Sequence, residues 1–343
     1  MTIKENIAYS KEFGFNILYW KLLDSITKSI SKSDFALKIH EKNYKIIENY
    51  IYKQCTTIIK NAKSNNYKND KHYIENKINK NVKINKTIWI MWWQGEKEAP
   101  PIVKACIESA RKNSNGHPVI VIDENNYKEY IKIPDFIIEK YQKGQKDKSP
   151  LKGTVLSRTH FSDIIRILLL YQYGGIWADS TVFFTKPIPE AYFESEFTTI
   201  GEDDDWYVRK GIWSIWFIGC HANSPLTKFL YQMLCEYWKN NDYWISYLMI
   251  YNMMNIAYEN VPEIKEILDI FTPTNRQALT INRNYNKEVD IEKIESFLKV
   301  QTIHKLSWRW WGNQSDSNMN IYTSEGKLTY FGYLYENYIL KIK

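Results

Sequence analysis

The chain has 343 residues, 44% of them hydrophobic and 25% charged, which supplies a sizeable core and excludes a disordered, collagen-like or disulfide-stapled mini-protein. Its net charge of +7 is concentrated at one end. Residues 1–85 carry 16 Lys against 8 Asp and Glu, whereas the remainder carries 30 Lys and Arg against 31 acidic residues.

From Phe13 to about Lys60 the apolar residues Ile39, Tyr44, Ile47, Ile51, Cys55 and Ile58 recur at helical spacing, which predicts two or three amphipathic helices. Their Lys-rich faces read as ordinary solvated surface, or as a surface for an anionic membrane, nucleic acid or an acidic neighbour. Asn61 to Lys86 is rich in Asn, Lys and Ser and reads as a solvated connection. The expected division is a helical N-terminal region over 1–85 and an α/β domain over 86–343. Thr87 to Trp92, the helical stretch Ile102 to Asn113, and Pro118 to Ile122 form a strand–helix–strand series, the start of a mainly parallel sheet. A helix over Asp163 to Tyr173 ends at Gly174-Gly175, a natural turn. Ile176-Trp177-Ala178 then reads as a buried strand ending in Asp179-Ser180-Thr181, with a second apolar run at Val182 to Phe184. Further on, Leu226 to Lys239 and Tyr243 to Tyr258 read as helices, the second capped by Asp242. Val300 to Trp311 is aromatic and basic.

No GxxxxGK[ST], GxGxxG, GxSxG or HExxH string occurs, which argues against P-loop hydrolases, classical dehydrogenases, α/β-hydrolases and zincins. The six His do not cluster at metal-ligand spacing, and Cys55, Cys106, Cys220 and Cys235 show no CxxC pattern. The opening residues lack the profile of a secretory signal, and the longest strongly apolar stretch, Ile164 to Tyr171, contains Arg166. A cytoplasmic protein, at most peripheral at the inner face of the cell membrane, is expected. Thirteen Trp and 26 Tyr provide amphipathic rings suited to sugars and nucleobases.

One constellation remains. Asp163 and Arg166 lie three apart on one helical face, where they present an acceptor and a fork of donors, or else form a plain surface ion pair. Asp179 stands beyond the carboxyl end of a buried strand, where open α/β sheets bind ligands and where a carboxylate is placed to hold a divalent cation against a diphosphate. The run Glu202, Asp203, Asp204, Asp205 reads as a solvated loop, with an acceptor-flanking role as its alternative.

The string SDIIRILLLYQYGGIWADST resembles the donor-binding core of GT32-type glycosyltransferases, and Trp89-Ile90-Met91-Trp92-Trp93-Gln94-Gly95 is similar to the first strand and loop of their bacterial capsular polysaccharide synthesis branch. The resemblance runs from about residue 86 to 310. It implies a GT-A-type, Rossmann-like, mainly parallel sheet flanked by helices, and a hexosyltransferase that acts with retention. The implied donor is a nucleotide-sugar, most simply a UDP-sugar, and the implied acceptor a glycan or lipid-linked oligosaccharide of capsule or surface polysaccharide. Nucleic acid is not an expected partner. Trp93 is similar to the aromatic that stacks on the base, with a plain sheet residue as its alternative, and Gln94-Gly95 to the turn where the backbone approaches the nucleotide; Gly174 and Gly175 read as donor contacts or as structural glycines of the turn. Asp163, Arg166 and Asp179 match the catalytic and sugar-holding positions. Asp179, Thr181 and His304 correspond to the metal set for Mn2+ or Mg2+, and Lys305 and Trp308 to the segment that closes on the diphosphate. Thr181 departs from the acidic pattern and loses a charge, which weakens the expected metal site. A nucleotide-sugar binding protein without turnover, and a basic membrane or nucleic-acid adaptor, are the alternative readings.

Overall fold

The apolar runs assemble as the strand–helix alternation demands. The computed structural model describes residues 2–30, 33–64, 67–75, 77–201, 211–271, 277–308 and 319–340. Strands β1 (Ile88–Met91), β2 (Val119–Ile122), β3 (Gly175–Ala178), β4 (Val182–Phe184), β5 (Phe197–Thr199), β6 (Phe217–Cys220) and β7 (Ile303–Lys305) form a five-stranded sheet of order β2-β1-β3-β6-β5 and a separate β4-β7 ribbon. β1 pairs in parallel with β2 and β3, through Ile88↔Val119 and Ile88↔Ile176. β6 is antiparallel to both β3 and β5, so it alone runs against the other strands of that sheet. The mainly parallel α/β sheet flanked by helices, with helices at the N-terminus, is the expected architecture.

The helices are α1 (Ile3–Phe13), α2 (Phe15–Ile30), α3 (Asp34–Gln54), α4 (Thr56–Ala62), α5 (Pro101–Lys112), α6 (Tyr127–Tyr130), α7 (Asp135–Gln145), α8 (Arg158–Tyr173) and α9 (Ala191–Glu194). They continue with α10 (Pro225–Asn240), α11 (Met249–Asn260), α12 (Pro262–Asp269), α13 (Thr280–Arg283), α14 (Ile291–Val300) and α15 (Tyr330–Leu334). Because side chains alternate along a strand, Trp89 and Trp177 join a core with α8 and α10 on one face of the sheet. Ile88, Ile90, Ile176 and Ala178 join a second core with α5, β4 and β7 on the other. α8 is buried nearly all round, which explains its run of Ile and Leu without a polar stripe.

The N-terminal helices belong to the first of these cores. Tyr9, Ile47, Ile51 and Cys55 are buried with residues of α8 and α10, and the Tyr9 hydroxyl donates to the Ile245 carbonyl at 2.7 Å. The Asn- and Lys-rich stretch after α4 is pinned where its few apolar residues fall: Tyr67, Ile74 and Val82 are buried, and the Tyr173 hydroxyl donates to the Lys77 carbonyl. The helix expected from Tyr243 begins only at Met249. Ahead of it Tyr243 bridges Val155, and Asp242 pairs with Lys140 at 2.7 Å instead of capping a helix. All four cysteines are buried and unpaired. Among the described residues no helix is long and apolar enough to cross a membrane.

Candidate active site

The site is built where α8 crosses the carboxyl end of β3. α8 begins at Arg158 rather than Asp163, so Thr159, Asp163 and Arg166 recur at spacings of four and three and share one face. Asp163 and Arg166 are only 7% and 6% exposed, which excludes a plain surface pair. The guanidinium reaches two carboxylates, with Nη1 3.0 Å from Asp163 Oδ1 and Nη2 2.9 Å from Asp179 Oδ1. It also lies over the Trp177 ring, 4.9 Å from the centroid. Trp177 and Asp179 are two apart on the strand and face the same way, so the indole N–H donates to Asp179 Oδ1 at 2.9 Å.

The fourth member comes from the far end of the chain. β7 pairs antiparallel with β4, setting Lys305 opposite Val182. Lys305 Nζ donates to Asp179 Oδ2 at 2.8 Å and to Thr181 Oγ1 at 2.9 Å. Burial works to raise Asp179, but the Lys305 and Arg166 charges outweigh it and hold the carboxyl below its ordinary value. Asp163 goes the other way: burial pushes it up to about 7, with Arg166 opposing and the Asp179 charge adding to the rise. Two neighbouring carboxylates are thus pushed apart in acidity.

This cluster stands between two cavities. The larger, about 530 Å3, opens beyond β1 and includes Trp92, Gln94, Arg158, Thr181 and Trp308 in its wall. The smaller, about 220 Å3, includes Asp163, Trp216 and Tyr251. Arg166, Asp179, Lys305 and Tyr247 line both. Asp163 and Asp179 are the carboxylates among the described residues that border either cavity.

Asp163, Arg166, Asp179, Thr181 and Lys305 are therefore brought together, and Gln94 and Trp308 border the same space. Other expected site residues lie differently. Trp93 touches the larger cavity but is 7% exposed, its ring held among Tyr127, Tyr141 and Phe161. One residue earlier, Trp92 faces the other side, edge-on to Trp308 at 5.6 Å between ring centroids, and its indole N–H is buried without a partner among the described residues. Trp92 and Trp308 form one aromatic corner of the larger cavity, which Trp93, Trp177 and Tyr247 also line. Gly95 turns the chain at φ 86° beside Asp123, outside both cavities. Gly174 and Gly175 stand at the opposite end of β3 from Asp179, outside both cavities. A Cβ on Gly175 would lie 2.2 Å from the Thr87 carbonyl oxygen; glycine there lets β1 and β3 close.

His304 does not join Asp179 and Thr181. Neighbouring strand residues point to opposite faces, and His304 is turned toward Thr185, Phe297 and the Gln301 carbonyl, 3.2 Å from its Nε2. Burial lowers its imidazole to about 4. Among the described residues no group of three or more His, Cys, Asp or Glu is gathered for a metal ion. The run Glu202, Asp203, Asp204, Asp205 lies outside the described residues. Sequence reasoning missed Trp92, Thr159, Tyr247 and Trp216. Thr159 was detectable as the earlier turn of the Asp163 and Arg166 face, whereas Tyr247 and Trp216 enter from distant loops and carry no local signal.

Fold and cleft together define a Rossmann-like α/β protein with a cationic, two-lobed cleft at the carboxyl ends of its strands. The chain belongs to the capsular polysaccharide synthesis protein family, whose model matches residues 28–324. It is also similar to a solved structure described as "PaToxG Glycosyltransferase", with 15% identity, 73% of this chain and 95% of that chain covered, and a TM-score of 0.34. No curated protein matches it in sequence.

Proposed function

We propose that this chain is a glycosyltransferase that moves a hexose from a nucleotide-sugar, most simply a UDP-sugar, to a glycan or lipid-linked precursor of a capsular polysaccharide. The observation that carries the reading is the Arg166–Asp179–Lys305 cluster at the junction of a larger and a smaller lobe. Two cations there suit a diphosphate. The larger lobe, with Trp92 and Trp308, suits a base and ribose, and the smaller, with Asp163 and Tyr247, suits a hexose. Family membership supports the capsular destination of the product.

In the proposed reaction the bond from the anomeric carbon to the diphosphate oxygen breaks, and its electron pair leaves with the diphosphate. A bond forms from that carbon to an acceptor hydroxyl oxygen, whose proton passes to the departing diphosphate. Among the described residues the two carboxylates that border the cavities are both tied to Arg166, so neither of them is a free base. That supports assigning the proton to the leaving group, and with it transfer on one face of the sugar with retention. Arg166 and Lys305 act electrostatically, with charges oriented before charge develops. Release of nucleoside diphosphate from a panel of nucleotide-sugars should single out one donor; no release from any of them, with acceptor lipid extract present, would defeat the proposal.

The N-terminal helices are proposed to seat the enzyme on an anionic bilayer. On α2 the residues Phe15, Tyr19, Leu22 and Ile26 recur at spacings of four and three and are all exposed, as are Ile3 and Ile7 of α1 and Phe35 at the start of α3. This apolar stripe belongs to the segment that carries 16 Lys against 8 acidic residues, and Lys near a bilayer contributes about 1 kcal/mol each. Flotation with vesicles should show binding to phosphatidylglycerol but not to phosphatidylcholine alone, falling at least about tenfold in a Phe15→Ser, Ile26→Ser double variant. Full-length protein that ignores anionic vesicles at low salt would refute this.

A further inference from the structure

We infer that the Lys305 ammonium takes the place of a divalent cation in this cleft, so that donor diphosphate is neutralised by protein cations and transfer needs no metal. The inference rests on the nucleotide-sugar reading above. The residues that the resemblance implies for Mn2+ or Mg2+ do not fit such an ion. A hard divalent ion gathers oxygens with free lone pairs, and a protein site for it relies on carboxylates that can turn toward it. Asp179 has little to offer: Oδ1 accepts from Arg166 Nη2 and Trp177 Nε1, and Oδ2 accepts from Lys305 Nζ. Thr181 contributes a neutral hydroxyl, and that oxygen accepts from the same ammonium at 2.9 Å. His304 faces away. The space between residues 179 and 181, where a shared cation would sit, is spanned by Lys305 Nζ at 2.8 and 2.9 Å from the two oxygens.

The substitution of a hydroxyl for a carboxylate then has a physical reason. An ammonium has three N–H donors and one charge. Two donors are engaged by Asp179 and Thr181, and the third is the one a diphosphate oxygen accepts. A second carboxylate at 181 would hold the ammonium equally well but would turn the net charge of the site against the incoming anion. Thr181 fixes the geometry without that cost. Arg166 supplies the other positive charge from the α8 side.

Calorimetric titration of UDP and of inorganic pyrophosphate tests this, in chelator and in Mn2+. Wild type should bind both equally well in either condition. Lys305→Met should lose about 100-fold in affinity, unrestored by Mn2+, while Lys305→Arg should retain most of it. The double variant Lys305→Met, Thr181→Asp should bind UDP only with Mn2+, because it exposes two carboxylates to a cation. Chelator that abolishes UDP binding to wild type, with Mn2+ restoring it, would overturn the inference and leave the glycosyltransferase reading intact. So would a Lys305→Met protein, folded by its thermal melt, that binds like wild type. Failure of UDP and every other nucleoside diphosphate to bind in any condition would overturn the nucleotide-sugar reading itself. Should the Met variant not fold, the chelator comparison on wild type decides alone.

Discussion

Asp179→Asn should abolish sugar transfer while leaving the protein folded, with turnover falling by about 100- to 1000-fold, the usual loss when one preorganised electrostatic element is removed. Asp179 is where the cluster converges, since it receives Arg166, Trp177 and Lys305. An amide of the same shape keeps one acceptor oxygen but turns an N–H toward either the guanidinium or the ammonium, and one of those cations then swings out of position. Its side chain is still 28% exposed, to the cavity, so a substrate can sense the loss while the core does not. Initial rates and a thermal melt, measured together, check both halves; near-wild-type turnover would remove Asp179 from the chemistry.

Arg166→Met should destabilise the fold by about 3 kcal/mol, the scale for removing one partner of a buried charge pair. Methionine fills the space of the aliphatic stem over Trp177 but leaves Asp163 and Asp179 facing each other without the cation between them. The loss should depend on pH in a definite sense. Asp163 is already raised to about 7 in the folded protein, above its unfolded value, so the folded state binds more protons and stability declines as pH rises from about 4 towards 7. Without Arg166 the decline persists to higher pH, because Asp163 loses the charge that opposed its rise, whereas Asp179 keeps Lys305. Chemical denaturation at pH 5 and pH 8 should therefore give a small difference from wild type at the lower pH and a large one at the higher. Equal differences at both would mean that the carboxylates are not buried against each other as described.

These residues differ in how far sequence alone discloses them. Asp163, Arg166 and Asp179 are legible because they sit on one helix–turn–strand unit, where spacing along the chain fixes position in space. The face of a strand at which a residue emerges is less secure, since a shift by one position reverses it. That is why His304 reads as joining Asp179 and Thr181 when it faces the other way, and why Trp92 goes unread although it borders the larger cavity with Trp93. The β6 insertion and the antiparallel β7 return depend on pairings between distant segments, and no local pattern announces them. The packing of α3 and α4 against α10 and α11 is likewise hidden, because an amphipathic face shows that a partner exists without saying which one.

The central claim, that the cluster between the two lobes holds the diphosphate of a nucleotide-sugar, is tested most directly by an experimental structure with UDP bound. The diphosphate should lie between Arg166 and Lys305, hydrogen-bonded to the Lys305 ammonium, with the uracil against Trp92 and Trp308 and the smaller lobe left open for the sugar. A nucleotide seated elsewhere on the chain, or one whose diphosphate touches neither Arg166 nor Lys305, would contradict it.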